Sequence, residues 1–221
     1  MHRRMSWTGP SFLVLVVAAT LSACSFDSPT GTNHLSGHGV DTIPLVTGNS
    51  GTVVTKNGDY AFSDSSDIAV GDLDAANPGE TQRGFVTFDV SALDGDSAES
   101  ATLRVYECAV LGDPFASLGS VVVDHVSPGT PPGQSQYSGS TLASNLGTIA
   151  PDATVGFRYL TVTSAVESDV ASNATYSQFR LRFSIEDGNN NGVNDYVDFN
   201  TINSGDCTGN AANAPVLIVT Y

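Results

Sequence analysis

Gln178-Phe179-Arg180-Leu181-Arg182-Phe183-Ser184-Ile185 decides the fold class. Phe179, Leu181, Phe183 and Ile185 fall on one side of an extended chain, with Arg180, Arg182 and Ser184 on the other, a period of two that no helix satisfies. Leu103 and Val105 alternate in the same way with Arg104, Tyr106 and Cys108. One buried face and one wet face is the pattern of antiparallel sheets stacked as a sandwich.

Strand patterns continue to either side. Thr52-Val53-Val54-Thr55 and Tyr60-Ala61-Phe62 flank Lys56-Asn57-Gly58-Asp59, and Asn-Gly between β-formers predicts a tight hairpin. Asp67–Gly71, Arg83–Val90, Thr102–Ala109, Gly119–Val126, Phe157–Val162, Tyr196–Ile202 and Ala214–Tyr221 read as further strands. One short helix is expected from Ser164 to Ala171, because Ser164 and Glu167 have the spacing of a capping box. Residues 127–152, rich in Pro, Gly and Ser, read as one long connection.

Export is written at the start of the chain. Arg3 and Arg4 precede an apolar run from Phe12 to Leu21, too short to cross the ~30 Å hydrocarbon core as a helix. Leu21-Ser22-Ala23-Cys24 then resembles the cleavage and lipidation site of bacterial lipoproteins, with Cys24 as the acylated residue. The expected organisation is a signal peptide over 1–23, a polar tether over 24–40 and a β-sandwich domain over 41–221. The expected location is outside the cytoplasm, anchored to a membrane by lipid; Ser25 after the cysteine resembles lipoproteins sent to the outer membrane or cell surface.

After the signal, six basic residues face 23 acidic ones, a formal charge of −17. A surface that negative repels phosphate backbones and argues against nucleic acid as a partner. It suits binding of divalent cations, and it equally suits plain solubility. Cys108 and Cys207 remain once Cys24 is set aside, a pair in an oxidising compartment. They read as a disulfide, the alternative being two separate thiols.

Two candidate sites stand out. Asp187-Gly188-Asn189-Asn190-Asn191-Gly192-Val193-Asn194-Asp195-Tyr196-Val197-Asp198 spaces its oxygens like a calcium loop. Asp187, Asn189, Asn191, Asp195 and Asp198 would offer side chains and Val193 its carbonyl. The flanks are strands and position 12 is Asp, unlike an EF-hand, and the competing reading is a solvated turn. The second site is a sheet face carrying Arg104 with Tyr106 and Arg180 with Arg182. If their strands are neighbours, guanidinium forks suit uronate carboxylates and tyrosine suits a sugar ring; otherwise these arginines pair with carboxylates across strands. His125 is the sole histidine after position 38, and no nucleophile motif accompanies it, so no catalytic role is expected.

Several segments together resemble a DNRLRE-type domain. They are Ala69-Val70-Gly71, Gln82-Arg83-Gly84-Phe85-Val86-Thr87-Phe88-Asp89-Val90 and Ser100-Ala101-Thr102-Leu103-Arg104-Val105-Tyr106, then Leu160-Thr161-Val162-Thr163-Ser164-Ala165-Val166 and Pro215-Val216-Leu217-Ile218-Val219-Thr220-Tyr221. The chain lacks the hexapeptide that names the family and carries no catalytic domain beside it. The resemblance implies a secreted jelly-roll sandwich of the carbohydrate-binding kind. The expected function is a non-enzymatic, lipid-anchored protein binding a polysaccharide or cell-surface glycan. A structural or adhesive surface lipoprotein without sugar affinity is the alternative.

Overall fold

A computed structural model describes residues 39–221 apart from 65–66, 76–78, 94–97, 187–190, 203–206 and 208. The expected signal segment, Cys24 and nearly all of the expected tether lie outside the described residues, as do Asp187 and Asn189. Twelve strands follow in chain order: β1 Val40–Pro44, β2 Gly51–Lys56, β3 Asp59–Ser63, β4 Ile68–Leu73, β5 Thr81–Asp89 and β6 Ser100–Leu111. Then come β7 Val121–Val126, β8 Thr141–Ala150, β9 Gly156–Thr161, β10 Tyr176–Phe183, β11 Asn194–Phe199 and β12 Val216–Thr220. Every pairing between them is antiparallel.

The strands make the expected antiparallel β-sandwich. One run is β1-β12-β6-β9, the other β3-β2-β5-β10-β7-β8, and β11 and β4 join the end of β6 to the start of β5. Between the runs lies the main core. Leu103, Val105, Leu217 and Val219 meet Val86, Phe88, Val121, Val123, Phe179, Leu181 and Phe183, all buried. The alternation read at Phe179, Leu181 and Phe183 is what turns these side chains inward. At the hairpin tip, Asn57 and Gly58 both take the left-handed conformation (φ 53° and 87°) that a two-residue turn requires.

The outer face of the second run is not wet, as the sequence had suggested. A one-turn helix folds over it, and Val53, Phe85, Val126 and Tyr137 form a second small core there, with Tyr60 and Phe62 of β3 against it. That helix, α2 (Gln134–Ser138), and a shorter one, α1 (Pro114–Ser117), are single turns that the sequence did not signal. The longest helix among the described residues, α3, spans Thr163–Ala171. Ser164 does not cap it: Val162 occupies the N-cap position with no side-chain bond, and Thr163 Oγ1 accepts from Ala101 N–H instead (2.9 Å).

The expected connection over 127–152 contains β8, a ten-residue strand on β7. Its register shifts repeatedly, and Asn145 stands at positive φ (51°). These irregularities break the period-two signal that would have revealed it.

Candidate functional site

Antiparallel pairing of β6 with β9 sets Arg104 opposite Tyr159 and Tyr106 opposite Phe157. Leu103 and Val105 point into the core, so their neighbours Arg104 and Tyr106 point out, and Phe157 and Tyr159 share that outer face. Phe157 is 40 % exposed and Tyr159 56 %. The Tyr106 and Phe157 rings meet edge-on at 5.0 Å, and Phe157 and Tyr159 lie 6.4 Å apart. The Arg104 guanidinium sits 4.9 Å above the Phe157 ring. The result is a strip of three aromatic side chains with one cation on it.

That cation is singular. Lys56 pairs with Glu80, Arg83 with Glu186, Arg158 with Glu107 and Asp152, Arg180 with Asp124, and Arg182 with Asp124 and Glu186. Among the described residues only Arg104 has no carboxylate partner. Its Nη2 donates to the Ala212 carbonyl (3.3 Å) and its Nε has no acceptor. In a chain this acidic, an unneutralised guanidinium on an aromatic face is a ready acceptor site for an anion.

The other two arginines expected on this face are elsewhere. β10 is flanked by β5 and β7, and β6 by β12, β9 and β11, so Arg180 and Arg182 do not meet Arg104 and Tyr106. Both take the cross-strand pairing instead. Asp124, fully buried, accepts from Arg180 Nε (3.0 Å) and Nη2 (2.7 Å), from Arg182 Nε (2.8 Å) and from the Asn145 N–H (2.8 Å). Burial alone would raise the Asp124 pKa; the hydrogen bonds from Arg182, Asn145 and Arg180 hold it below the usual range. Arg180 also donates to the Gln136 and Tyr137 carbonyls, and Arg83 donates to Tyr137 O while lying 4.2 Å over its ring, so two arginines fasten α2 to the sheet.

Opposite the strip, beneath β9, Arg158 reaches inward to Glu107 (2.8 Å). Glu107 is fully buried and its second oxygen has no partner. Burial pushes its pKa up to about 7, Arg158 opposing and Asp152 adding to the rise. Between the ordinary value of 4.5 and about 7, the folded state therefore holds a proton that the unfolded chain has released. Stability contributed by Glu107 is present at low pH and is lost as pH rises through that window. Urea unfolding measured from pH 5 to 8 is expected to show this decline up to about pH 7, and Glu107→Gln to flatten it there; an unchanged slope in the variant would refute the burial effect.

In the twelve-residue loop, the described positions do not gather as an EF-type cage. Asp195 and Asp198 stand three apart on extended β11, so their side chains leave opposite faces of the sheet. Asn191 binds Asp195 Oδ2 (3.2 Å) and accepts the Val193 N–H (2.7 Å), an Asx-type turn. Asp195 faces β4, where Asp72 is its register partner.

Cys108 and Cys207 form the disulfide, Cα atoms 5.6 Å apart, tying the outer face of β6 to the segment after β11. Asp67 lies beside the pair, but disulfide sulfurs are not thiolate ligands and this trio is no metal centre. His125 Nε2 is 2.8 Å from Asp169 Oδ2, which also accepts from Ser177 Oγ (2.5 Å). All three residues are buried under α3, so the Ser–Asp–His grouping ties α3 to β7 and β10 and offers no exposed nucleophile.

No family model matches the chain, and no curated protein matches it in sequence. The likeness to DNRLRE-type domains rests on its own quoted segments alone.

The sequence pointed to Arg104 and Tyr106 but missed Phe157 and Tyr159. The signal was present: Phe157 and Tyr159 alternate with Arg158 and Leu160, but only the β6–β9 register shows which pair of residues lies beside Arg104.

Proposed function

We propose that this chain is a non-catalytic, lipid-anchored extracytoplasmic module that binds an acidic polysaccharide or cell-surface glycan on the β6–β9 face. Arg104 without a carboxylate partner on an exposed aromatic strip is the observation that carries this reading. Flat rings suit the apolar faces of sugars, and a guanidinium beside them suits a uronate or similar carboxylate. Cys24 would hold the module to the membrane, and the acidic remainder of the surface would keep it clear of anionic headgroups.

Affinity electrophoresis through gels containing polyuronate or neutral glucan tests this directly. Retardation by polyuronate is expected. Tyr159→Ala should weaken it by about tenfold, the scale of one lost stacking contact. Arg104→Ala should abolish the preference for the acidic polymer, since a charge-assisted hydrogen bond is worth about 1.5–3 kcal/mol. Absence of retardation by any polymer, or equal retardation of both variants and wild type, would leave the display role in its place.

A further inference from the structure

Two rings of the aromatic strip, Phe157 and Tyr159, stand on β9, and among the described residues β9 pairs with β6 alone. A strand with one ladder and few buried side chains is the kind of element that opens locally. The residues leading into it, 151–155, are all exposed, so none of their side chains is sunk into the core. Phe157 and Tyr159 themselves face outward. On the inner side Leu160 packs against the main core, and Arg158, two residues earlier, is the other anchor.

Arg158 makes several bonds from that position. Its Nε donates to Glu107 Oε2 on β6 (2.8 Å). Its Nη2 donates to the Asp152 carbonyl (2.9 Å), to Asp152 Oδ1 (3.0 Å) and to the Thr154 carbonyl. Glu107 is fully buried and stands across the ladder from Gly156, the first residue of β9. A guanidinium is a rigid planar fork, so binding it through Nε and Nη2 fixes its orientation. One side chain thereby joins β6, the entry turn and β9, on the side of the strand opposite the two rings.

We propose that Arg158 is a positioning residue of the glycan face. By clasping Glu107 and the turn over 152–154 it fixes β9, and with it the placement of Phe157 and Tyr159 beside Arg104 and Tyr106, before any ligand arrives. This inference rests on the reading of the β6–β9 face as a glycan site, and it gives Arg158 no contact with the sugar. Rings ordered by folding need not be ordered again by binding, which raises affinity.

Affinity electrophoresis in polyuronate gels, run beside thermal unfolding, separates positioning from stability. Glu107→Leu with Arg158→Met removes both charges at similar volume, and such a replacement of a buried ion pair is often neutral or stabilising. This double variant is expected to melt at or above wild type and still to bind roughly tenfold more weakly, the effect of ordering two side chains at binding. Hydrogen exchange should show Gly156–Thr161 opening in it while Val216–Thr220 keeps its protection. Arg158→Lys keeps a cation for Glu107 but lacks the fork that reaches the turn, so it should melt near wild type and bind about threefold more weakly. If the double variant fails to fold, Arg158→Lys decides alone. Wild-type affinity in the folded variants, with Tyr159→Ala still weakening binding, would overturn the role of Arg158 and leave the glycan site standing. A wild type that no polyuronate retards would instead remove the glycan reading, and this inference with it.

Discussion

Asp124→Ala is expected to destabilise the protein by about 3–5 kcal/mol, the cost of stranding charges that have lost a buried partner. Asp124 has no exposed surface and serves Arg180, Arg182 and the Asn145 N–H at once. Its removal deprives both guanidiniums of the carboxylate they share, leaving only Glu186 at 3.8 Å from Arg182. Arg180 would keep its bonds to the Gln136 and Tyr137 carbonyls (2.9 and 2.7 Å), so the damage should begin at the charges and spread to α2. Asp124→Asn keeps the shape and one acceptor and should cost less than alanine. Urea denaturation gives the loss, and hydrogen exchange should show Gln134–Ser138 opening first. A loss below about 1 kcal/mol would place the pair in the range of ordinary surface ion pairs and refute its structural role.

The second large effect lies at the disulfide. Cys108 and Cys207 are 99 residues apart in sequence, and a closed loop of about that length is worth roughly 4.7 kcal/mol through the entropy it removes from the unfolded chain. The closed loop contains β7 to β11, so nearly half of the sandwich folds within it. Replacing both cysteines with serine should lower stability by several kcal/mol in denaturant titrations. Reduction of the wild type should have the same effect, and reduction of the double variant none. Equal unfolding midpoints for oxidised and reduced protein would show that the bond constrains nothing.

Local patterns carried the strands and long-range pairing carried the site. Phe179, Leu181 and Phe183 announce their face within eight residues, and the Asn57-Gly58 turn announces the hairpin within two. What a strand's polar face looks out upon is not local. Arg180 and Arg182 resemble a solvated row until α2 packs over that face, and nothing in their own segment names Asp124 as their partner. Asp72 is similar: it reads as one more polar residue after Ala69-Val70-Gly71, and only the β4–β11 register brings it to Asp195. Cys108 and Cys207 were legible despite their distance, because once Cys24 is set aside two cysteines leave one pairing to consider. β8 was hidden for a different reason, its irregular register and the left-handed Asn145 erasing the alternation along Thr141–Ala150.

β1 lies antiparallel against β12, and Gly39 and Tyr221 exchange backbone hydrogen bonds of 2.8 and 3.2 Å, so the two ends of the folded body leave side by side from one rim. Any traction transmitted through the residues before Gly39 enters at this five-residue lap joint rather than through the interior. β6 and β9 lie two and three places further in, so a load at the rim, or a partner fused there, leaves the aromatic strip facing open water.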